Sequence, residues 1–165
     1  KSGIIKSKAS PIKFGYFESR IKGSPLHPGV CPAFWAYRNE KDMWTEIDFV
    51  EITEHRNNPK LIDSNTHVFR HLKLADENGI HEQCPWQAPW DPRDAFHVYG
   101  CQWNAVEIKW YIDGKLVRTR ENEFWHQELD VVMSFGVRFP LKVTASDENF
   151  PTTFQADYIR VWKKN

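Results

Sequence analysis

The chain has 165 residues, of which 41% are apolar and 15% aromatic, so it is long enough for one domain with a sizeable core and is not typical of a disordered chain. Lysine and arginine together number 22, as do aspartate and glutamate, so no net charge attracts nucleic acid or an anionic membrane, and no apolar run approaches the length of a membrane span. Cys31, Cys84 and Cys101 have no CxxC spacing and indicate neither a disulfide framework nor a zinc site, which leaves open one bridged pair.

Short segments of alternating apolar and polar residues, bounded by Gly, Pro, Asn and Asp, run through the sequence, and no stretch keeps a helical period of 3.6 residues. The sequence therefore predicts an all-β protein, a sandwich or a barrel. In chain order, the predicted strands are Phe14 to Lys22, Ala33 to Tyr37, Thr45 to Glu54, Thr66 to Leu74, Phe96 to Trp103, Val106 to Ile112, Leu116 to Arg120, Leu129 to Val137 and Ala156 to Lys163.

The connections follow from turn residues. Asp113-Gly114 suits the positive φ angles of a type I′ turn and predicts a hairpin between two of the strands. Arg56 to Pro59 and the longer segment Asp76 to Asp94 are predicted loops. Trp86 and Trp90 lie in the longer loop, where they either flank a binding cleft or pin the loop to the core.

The segment Trp44-Thr45-Glu46-Ile47-Asp48-Phe49-Val50-Glu51 sets three carboxylates among residues typical of a buried strand. Because side chains alternate along a strand, Glu46 and Asp48 share one face with Trp44, whereas Glu51 falls on the apolar face. An unpartnered carboxylate on that face costs several kcal/mol. A β-bulge around Phe49 and Val50 removes the conflict, because one extra residue returns Glu51 to the face of Glu46.

Paired carboxylates are the working groups of glycoside hydrolysis, in which one is the acid and base and the other is the nucleophile or the activator of water. The trio therefore predicts a glycosidase. Two other interpretations stay open on the residues alone: a solvated strand face, and a cation site in which His67 joins the acids to hold calcium.

Glu46-Ile47-Asp48-Phe49-Val50-Glu51 resembles the bulged Glu-Ile-Asp-x-x-Glu signature of glycoside hydrolase family 16. The flanking blocks are similar to strands of that family over most of the chain. They are Gly15 to Lys22, Pro32 to Trp35, Phe96 to Gly100, Trp110 to Gly114 and Asp157 to Trp162.

The resemblance implies a concanavalin-like jelly roll, two antiparallel sheets with a cleft across the concave one, in a single catalytic domain over residues 1–165. It also implies a protein that is secreted, periplasmic or at the cell surface. Members usually carry further strands before the block that matches Lys1 to Ile5, so we expect the N-terminal strands, and the natural N-terminus, to be missing here.

By the same resemblance, Glu46 is the nucleophile, Glu51 the general acid and base, and Asp48 the group between them that tunes protonation. The reaction then retains configuration through a covalent glycosyl-enzyme. Three close acids cannot all ionise cheaply, and Glu51 is the one that needs a proton at neutral pH, so we expect its pKa to be the raised one.

Five further side chains are candidate substrate contacts. Trp35 resembles the indole beneath the sugar next to the scissile bond, and Trp44 shares the face of the acids. His67 matches a histidine on a neighbouring cleft strand, and Trp125 and Arg138 flank another predicted cleft strand.

The substrate class follows from departures within the family. Thr45 and the strand Met133 to Val137 differ from the β-1,3-glucanase pattern, and Trp90-Asp91-Pro92 is similar to the marine galactan branch of agarases, porphyranases and carrageenases. The predicted partner is thus a polysaccharide, and we expect no nucleic acid or membrane partner. The protein itself is expected to be a monomer. A laminarinase-like β-1,3-glucanase, a lectin-like binding module on the same sandwich, and transglycosylation are the alternatives.

Two smaller predictions concern ions. Guanidinium groups match oxyanion geometry, so the candidates for sulfate recognition are Arg20, Arg70 and Arg138. No cofactor is required, but Asp157 resembles a position that ligates a structural calcium on the convex side in many relatives, so calcium at that side remains open.

Overall fold

The structure, a computed structural model, describes residues 2–25, 29–40, 43–53, 58–70, 79–137, 148 and 150–163, which form thirteen β-strands. Nine are the predicted strands, most with ends that differ by one to three residues: β2 (Gly15–Lys22), β3 (Val30–Glu40), β4 (Met43–Glu51), β6 (Thr66–Arg70), β9 (His97–Trp103), β10 (Glu107–Ile112), β11 (Lys115–Glu121), β12 (Asp130–Val137) and β13 (Gln155–Trp162). Residues 54 and 71–74 of two predicted strands, and residues 56–57 of the predicted loop, lie outside the described chain. None of the described segments forms a helix of the length and apolarity that crossing a bilayer requires.

Four short strands are additional: β1 (Gly3–Lys6), β5 (Leu61–Asp63), β7 (Ile80–Glu82) and β8 (Pro85–Gln87). The last two correct the prediction of one long loop from Asp76 to Asp94, of which residues 76–78 lie outside the described chain. Each of these two strands has only three residues, and β8 begins with a proline, so neither shows an alternating pattern in the sequence. They are strands because β7 pairs with β6 and β8 pairs with β5.

The strands form two antiparallel sheets, which confirms the predicted all-β sandwich. The first sheet has the order β1-β12-β3-β4, and the far side of β4 pairs with β6 along Met43 to Ile47 and with β5 at Glu51. The second sheet has the order β11-β10-β9-β2-β13. The predicted hairpin is confirmed, because Asp113 and Gly114 join β10 to β11 with φ angles of 48° and 75°.

Aromatic and branched side chains of both sheets fill the space between them. Trp103, Trp110 and Tyr99 of the second sheet pack against Phe34 and Ile47 of the first, and all five are at most 1% exposed. The core therefore holds the inner face of β4 firmly and leaves its outer face for chemistry. The cysteines are free thiols, so no bridged pair forms.

Candidate active site

The predicted bulge lies in β4 and is confirmed by the strand register. Trp35 of β3 faces Asp48, but the next residue back, Phe34, faces Val50, so Phe49 has no partner of its own. Phe49 and Val50 are both buried in the core, where the Phe49 ring stacks on Phe17 at 4.9 Å between centroids. Two consecutive inward side chains are what restore Glu51 to the outer face.

A cleft of about 440 Å³ runs over that outer face, and Glu46, Asp48 and Glu51 all line it. Its side walls come from β1 and β12, including Ile4 and Phe135. The structure thus brings together the three acids that the sequence singles out and places them on one accessible surface.

The Glu46 carboxylate is held by groups on its own strand and the next. Trp44 Nε1 donates a hydrogen bond of 2.6 Å to Glu46 Oε2. His67, opposite Glu46 on β6, places its Nε2 at 3.1 Å from Asp48 Oδ2 and 3.9 Å from Glu46 Oε1. His67 Nδ1 in turn lies 3.4 Å from His81 Nδ1 on β7. The predicted His67 therefore sits between two members of the trio.

The Glu51 carboxylate has two donors that the sequence did not indicate. Asn65, a buried residue in the bend between β5 and β6, donates from Nδ2 to Glu51 Oε2 at 2.6 Å. Cys31 donates from its thiol to Glu51 Oε1 at 3.4 Å. The Asn65 backbone oxygen also accepts the Asp48 amide at 2.9 Å, so one residue orients two of the acids. Neither Asn65 nor Cys31 is near Glu51 in sequence, and no local motif marks either of them.

The pKa of the Glu46 carboxyl is raised, which the sequence did not indicate, while the raised pKa expected of Glu51 stays a prediction. Burial raises the pKa of Glu46 well above its usual range, and the adjacent Asp48 charge adds to this, while His67 and the Trp44 hydrogen bond act against it. The shift depends on three-dimensional burial, which a strand pattern does not give.

Two indoles of the core hold the backbone of the motif from below. Trp110 Nε1 donates to the carbonyl oxygen of Asp48 at 2.8 Å, and Trp125 Nε1 donates to that of Glu46 at 2.9 Å. Trp125 is fully buried between the sheets, so its prediction as a substrate contact is wrong. It precedes a cleft strand as predicted, but its ring points inward, where a carbonyl satisfies the N–H.

Aromatic rings extend from one end of the row of acids. Trp35 and Trp44 are half-buried, with ring centroids 6.4 Å apart and planes 29° from parallel. Tyr37, which faces Glu46 across the strands and was not predicted, stacks on Trp44 at 4.7 Å. Trp35 also lines the cleft, and its Nε1 donates to Ser134 Oγ at 3.0 Å. These three rings form a surface suited to apolar faces of sugars.

Of the predicted sulfate-binding arginines, the two that the structure describes do not line the cleft. Arg20 lies on the second sheet, where it pairs with Asp157 at 2.9 Å. Arg70 ends β6 on the face of buried Val68 rather than that of His67. Arg138 lies outside the described residues.

Comparison with known proteins gives the family. The family model described as "Glycosyl hydrolases family 16" matches residues 1–159, which include the first sheet, all of the second sheet except the last three residues of β13, and the three acids of the site. The chain belongs to glycosyl hydrolase family 16. The resemblance read from the motif is thereby confirmed, and the sandwich is the jelly roll of that family.

Several characterised members of family 16 are similar to this chain. The kappa-carrageenase of Pseudoalteromonas carrageenovora is 34% identical over 193 residues, which cover 99% of this chain and 47% of that protein. Beta-porphyranase E of Zobellia galactanivorans is 33% identical over 68% of this chain and 44% of its own length. The crystal structure of a kappa-carrageenase from Zobellia galactanivorans superposes with a TM-score of 0.82 at 32% identity, over 99% of this chain and 71% of that one. The chain thus spans about half the length of these two curated relatives.

The residues of this family 16 chain do not fit calcium at Asp157. Its carboxylate accepts a hydrogen bond from the Arg20 guanidinium, a positive charge where a calcium site needs anionic oxygens. Among the described residues, the group of acids and histidines close enough to share a metal is Glu46, Asp48 and His67, which already contact one another and Trp44.

The role of Asn65 in orienting Glu51 can be tested by substitution. We expect Asn65→Ala to lower kcat by about 10- to 100-fold with KM nearly unchanged, because Glu51 loses the donor that fixes its orientation. Steady-state kinetics on polysaccharide, with thermal unfolding measured in parallel, check this. Asn122→Ala is the matched control, since Asn122 is also buried and hydrogen-bonded but contacts none of the three acids through its side chain. Equal loss of kcat in both variants would show a general folding effect instead.

Proposed function

We propose that this chain is the catalytic domain of a retaining endo-β-glycosidase that hydrolyses a sulfated red-algal galactan of the kappa-carrageenan type. The observation that carries the proposal is the bulge at Phe49, which sets Glu51 beside Glu46 and Asp48 on the wall of an open cleft. Identity of 34% to a kappa-carrageenase along 99% of the chain supports the choice of substrate over other galactans. An open cleft, rather than a closed pocket, suits attack within a long polymer.

In the first step, Glu46 attacks the anomeric carbon while Glu51 gives its proton to the departing glycosidic oxygen. The bond between the sugars breaks as the bond from Glu46 to the sugar forms. In the second step, Glu51 takes a proton from water, which attacks the same carbon and releases Glu46. Asn65 and Cys31 hold Glu51 in position for both transfers.

Glu46 has to be ionised to attack, although burial and Asp48 oppose its ionisation. Trp44 Nε1 and the His67 imidazole face the carboxylate and favour its charged form. His67 at 3.1 Å from Asp48 also offsets the neighbouring charge. Trp44 and His67, which the sequence predicted as substrate contacts, are therefore proposed to favour the charged form of Glu46 as well.

The remaining assignments follow from the same family. Trp35, Trp44 and Tyr37 are proposed to stack on sugar rings at one end of the cleft. We propose one domain over residues 1–165, a monomer without a required cofactor, acting outside the cell or at its surface on a polymer too large to enter.

The test is the release of reducing ends from kappa-carrageenan, porphyran, agarose and laminarin by the wild-type protein. Cleavage of kappa-carrageenan well above the others is the expected result. Cleavage of laminarin alone would favour a β-1,3-glucanase, and binding of any of these polymers without cleavage would favour a lectin-like module.

A further inference from the structure

A second pocket, of about 620 Å³, lies at one edge of the sandwich. Its rim carries Trp86, Gln87, Pro89, Trp90, Asp113 and Lys115. None of these residues lines the cleft of the three acids. The proposed hydrolysis uses none of them, and the loop in which the sequence singled out two indoles provides one wall.

The strand register places this pocket on the other side of the first sheet from the acids. Trp86 on β8 is paired with Ile62 on β5, and the side chains of directly paired residues point to the same side of a sheet. Ile62 is fully buried between the sheets, whereas Glu51 of the neighbouring β4 points to the cleft. The pocket therefore opens at the edge between the sheets, against the hairpin of β10 and β11.

The indoles are held in fixed orientations. Trp90 stacks on the His97 ring, with centroids 3.3 Å apart and planes 8° from parallel. His97 Nδ1 is hydrogen-bonded to Asp113 Oδ2 at 2.7 Å, and Asp113 Oδ1 accepts a hydrogen bond from the Val98 backbone amide at 2.9 Å. Trp86 meets Trp90 edge to face at 6.1 Å. Turn, histidine and indoles thus form one connected, preorganised surface.

The rim supplies the polar groups that an aromatic surface lacks. Gln87 and Lys115 are exposed beside the indoles. The Gln87 amide accepts a hydrogen bond from Asn58 and donates one to the Ala88 carbonyl, whereas Lys115 has no carboxylate partner within the described part of the chain. Flat apolar rings next to amide and ammonium groups match a sugar with an apolar face and hydroxyl or sulfate substituents. An ammonium at the rim also complements the negative charge of a sulfated polymer.

We propose that this pocket is a second carbohydrate-binding site, which holds a segment of the same sulfated galactan away from the cleft. The inference rests on the proposed function for the identity of the polymer. Holding the polymer at a second point raises the effective concentration of cleavable bonds at the cleft, although the pocket itself takes no part in the chemistry.

Binding is measured by affinity electrophoresis of the full chain in gels that contain kappa-carrageenan, with Glu46→Gln present throughout to prevent cleavage. Trp86→Ala is expected to weaken retention about fivefold to tenfold, and Lys115→Glu about threefold. Lys8→Glu, at an exposed turn outside both pockets, is the matched charge control and should leave retention unchanged. In gels of desulfated polymer, the effect of Lys115→Glu should vanish while that of Trp86→Ala persists.

Kinetics of the otherwise wild-type enzyme separate the pocket from the cleft. Lys115→Glu should raise KM on the polymer about threefold and leave kcat and the hydrolysis of a short oligosaccharide unchanged. If Lys115→Glu and the folded Trp86→Ala variant leave retention and KM as they were, the indoles only pin the loop and the inference is wrong. If the wild-type protein neither binds nor cleaves the galactan, the proposed function itself fails, which is a different result.

Discussion

Glu46→Gln and Glu51→Gln are each expected to lower kcat on kappa-carrageenan by at least about 10⁴-fold, because each removes a group that forms or breaks a bond in the reaction. Both replacements keep the size of the side chain, and both side chains line the cleft with their neighbours in place. The loss therefore reports chemistry rather than packing. Reducing-end release, with circular dichroism to verify the fold, is the measurement.

The two variants are expected to differ in how they are rescued. With an aryl glycoside whose leaving group needs no proton, Glu51→Gln should regain formation of the glycosyl-enzyme, whereas Glu46→Gln should not. Glu40→Gln, which removes an exposed carboxylate at the end of β3, controls for the loss of one negative charge. Equal rescue of both variants, or a loss below about tenfold in either, would contradict the assigned roles.

The second large effect concerns the pH dependence of stability. The folded state raises the pKa of Glu46, so between its usual pKa and the raised one the folded chain binds more protons than the unfolded chain. Stability from this group is therefore fully present at low pH and is lost as the pH rises through that window. Glu46→Gln carries no such charge, so it should unfold at a higher temperature than the wild type at pH 8, with the difference shrinking toward pH 4.

Thermal unfolding of both proteins from pH 4 to pH 9 checks this expectation, with Glu40→Gln again as the control for one lost charge. A difference in melting temperature that stays constant across the range would contradict it. The same ionisation sets the expected acidic limb of kcat/KM, since activity rises with pH as Glu46 loses its proton. A catalytic residue that costs stability at working pH is a known feature of active sites.

The parity of the acidic motif made its geometry predictable. Glu51 at an odd spacing from Glu46 conflicts with a regular strand, and the physical cost of a buried carboxylate left a bulge as the solution that the register of β3 and β4 confirms. The turn at Asp113 and Gly114 could also be predicted, because the conformation of such a turn depends on only two adjacent residues.

Other parts of the site depend on contacts that sequence does not express. Cys31 reaches Glu51 from β3 and Asn65 reaches it from the connection between β5 and β6, so both contacts arise only when β3, β4 and β5 pair. The sequence around Trp125 does not indicate whether its ring faces the cleft or the core. The ring faces the core, where its Nε1 donates to the carbonyl oxygen of Glu46, 79 positions away in the chain. The Trp86 and Trp90 loop contains strands too short to alternate.

The retaining mechanism is tested most directly by proton NMR of the reaction with kappa-carrageenan oligosaccharides, recorded within the first minutes before the released sugars mutarotate. A bulge that sets Glu46 and Glu51 on one cleft for double displacement predicts that the new reducing end appears first as the β-anomer. First appearance of the α-anomer would mean that water attacks directly and that Glu46 forms no covalent intermediate, which would contradict the account.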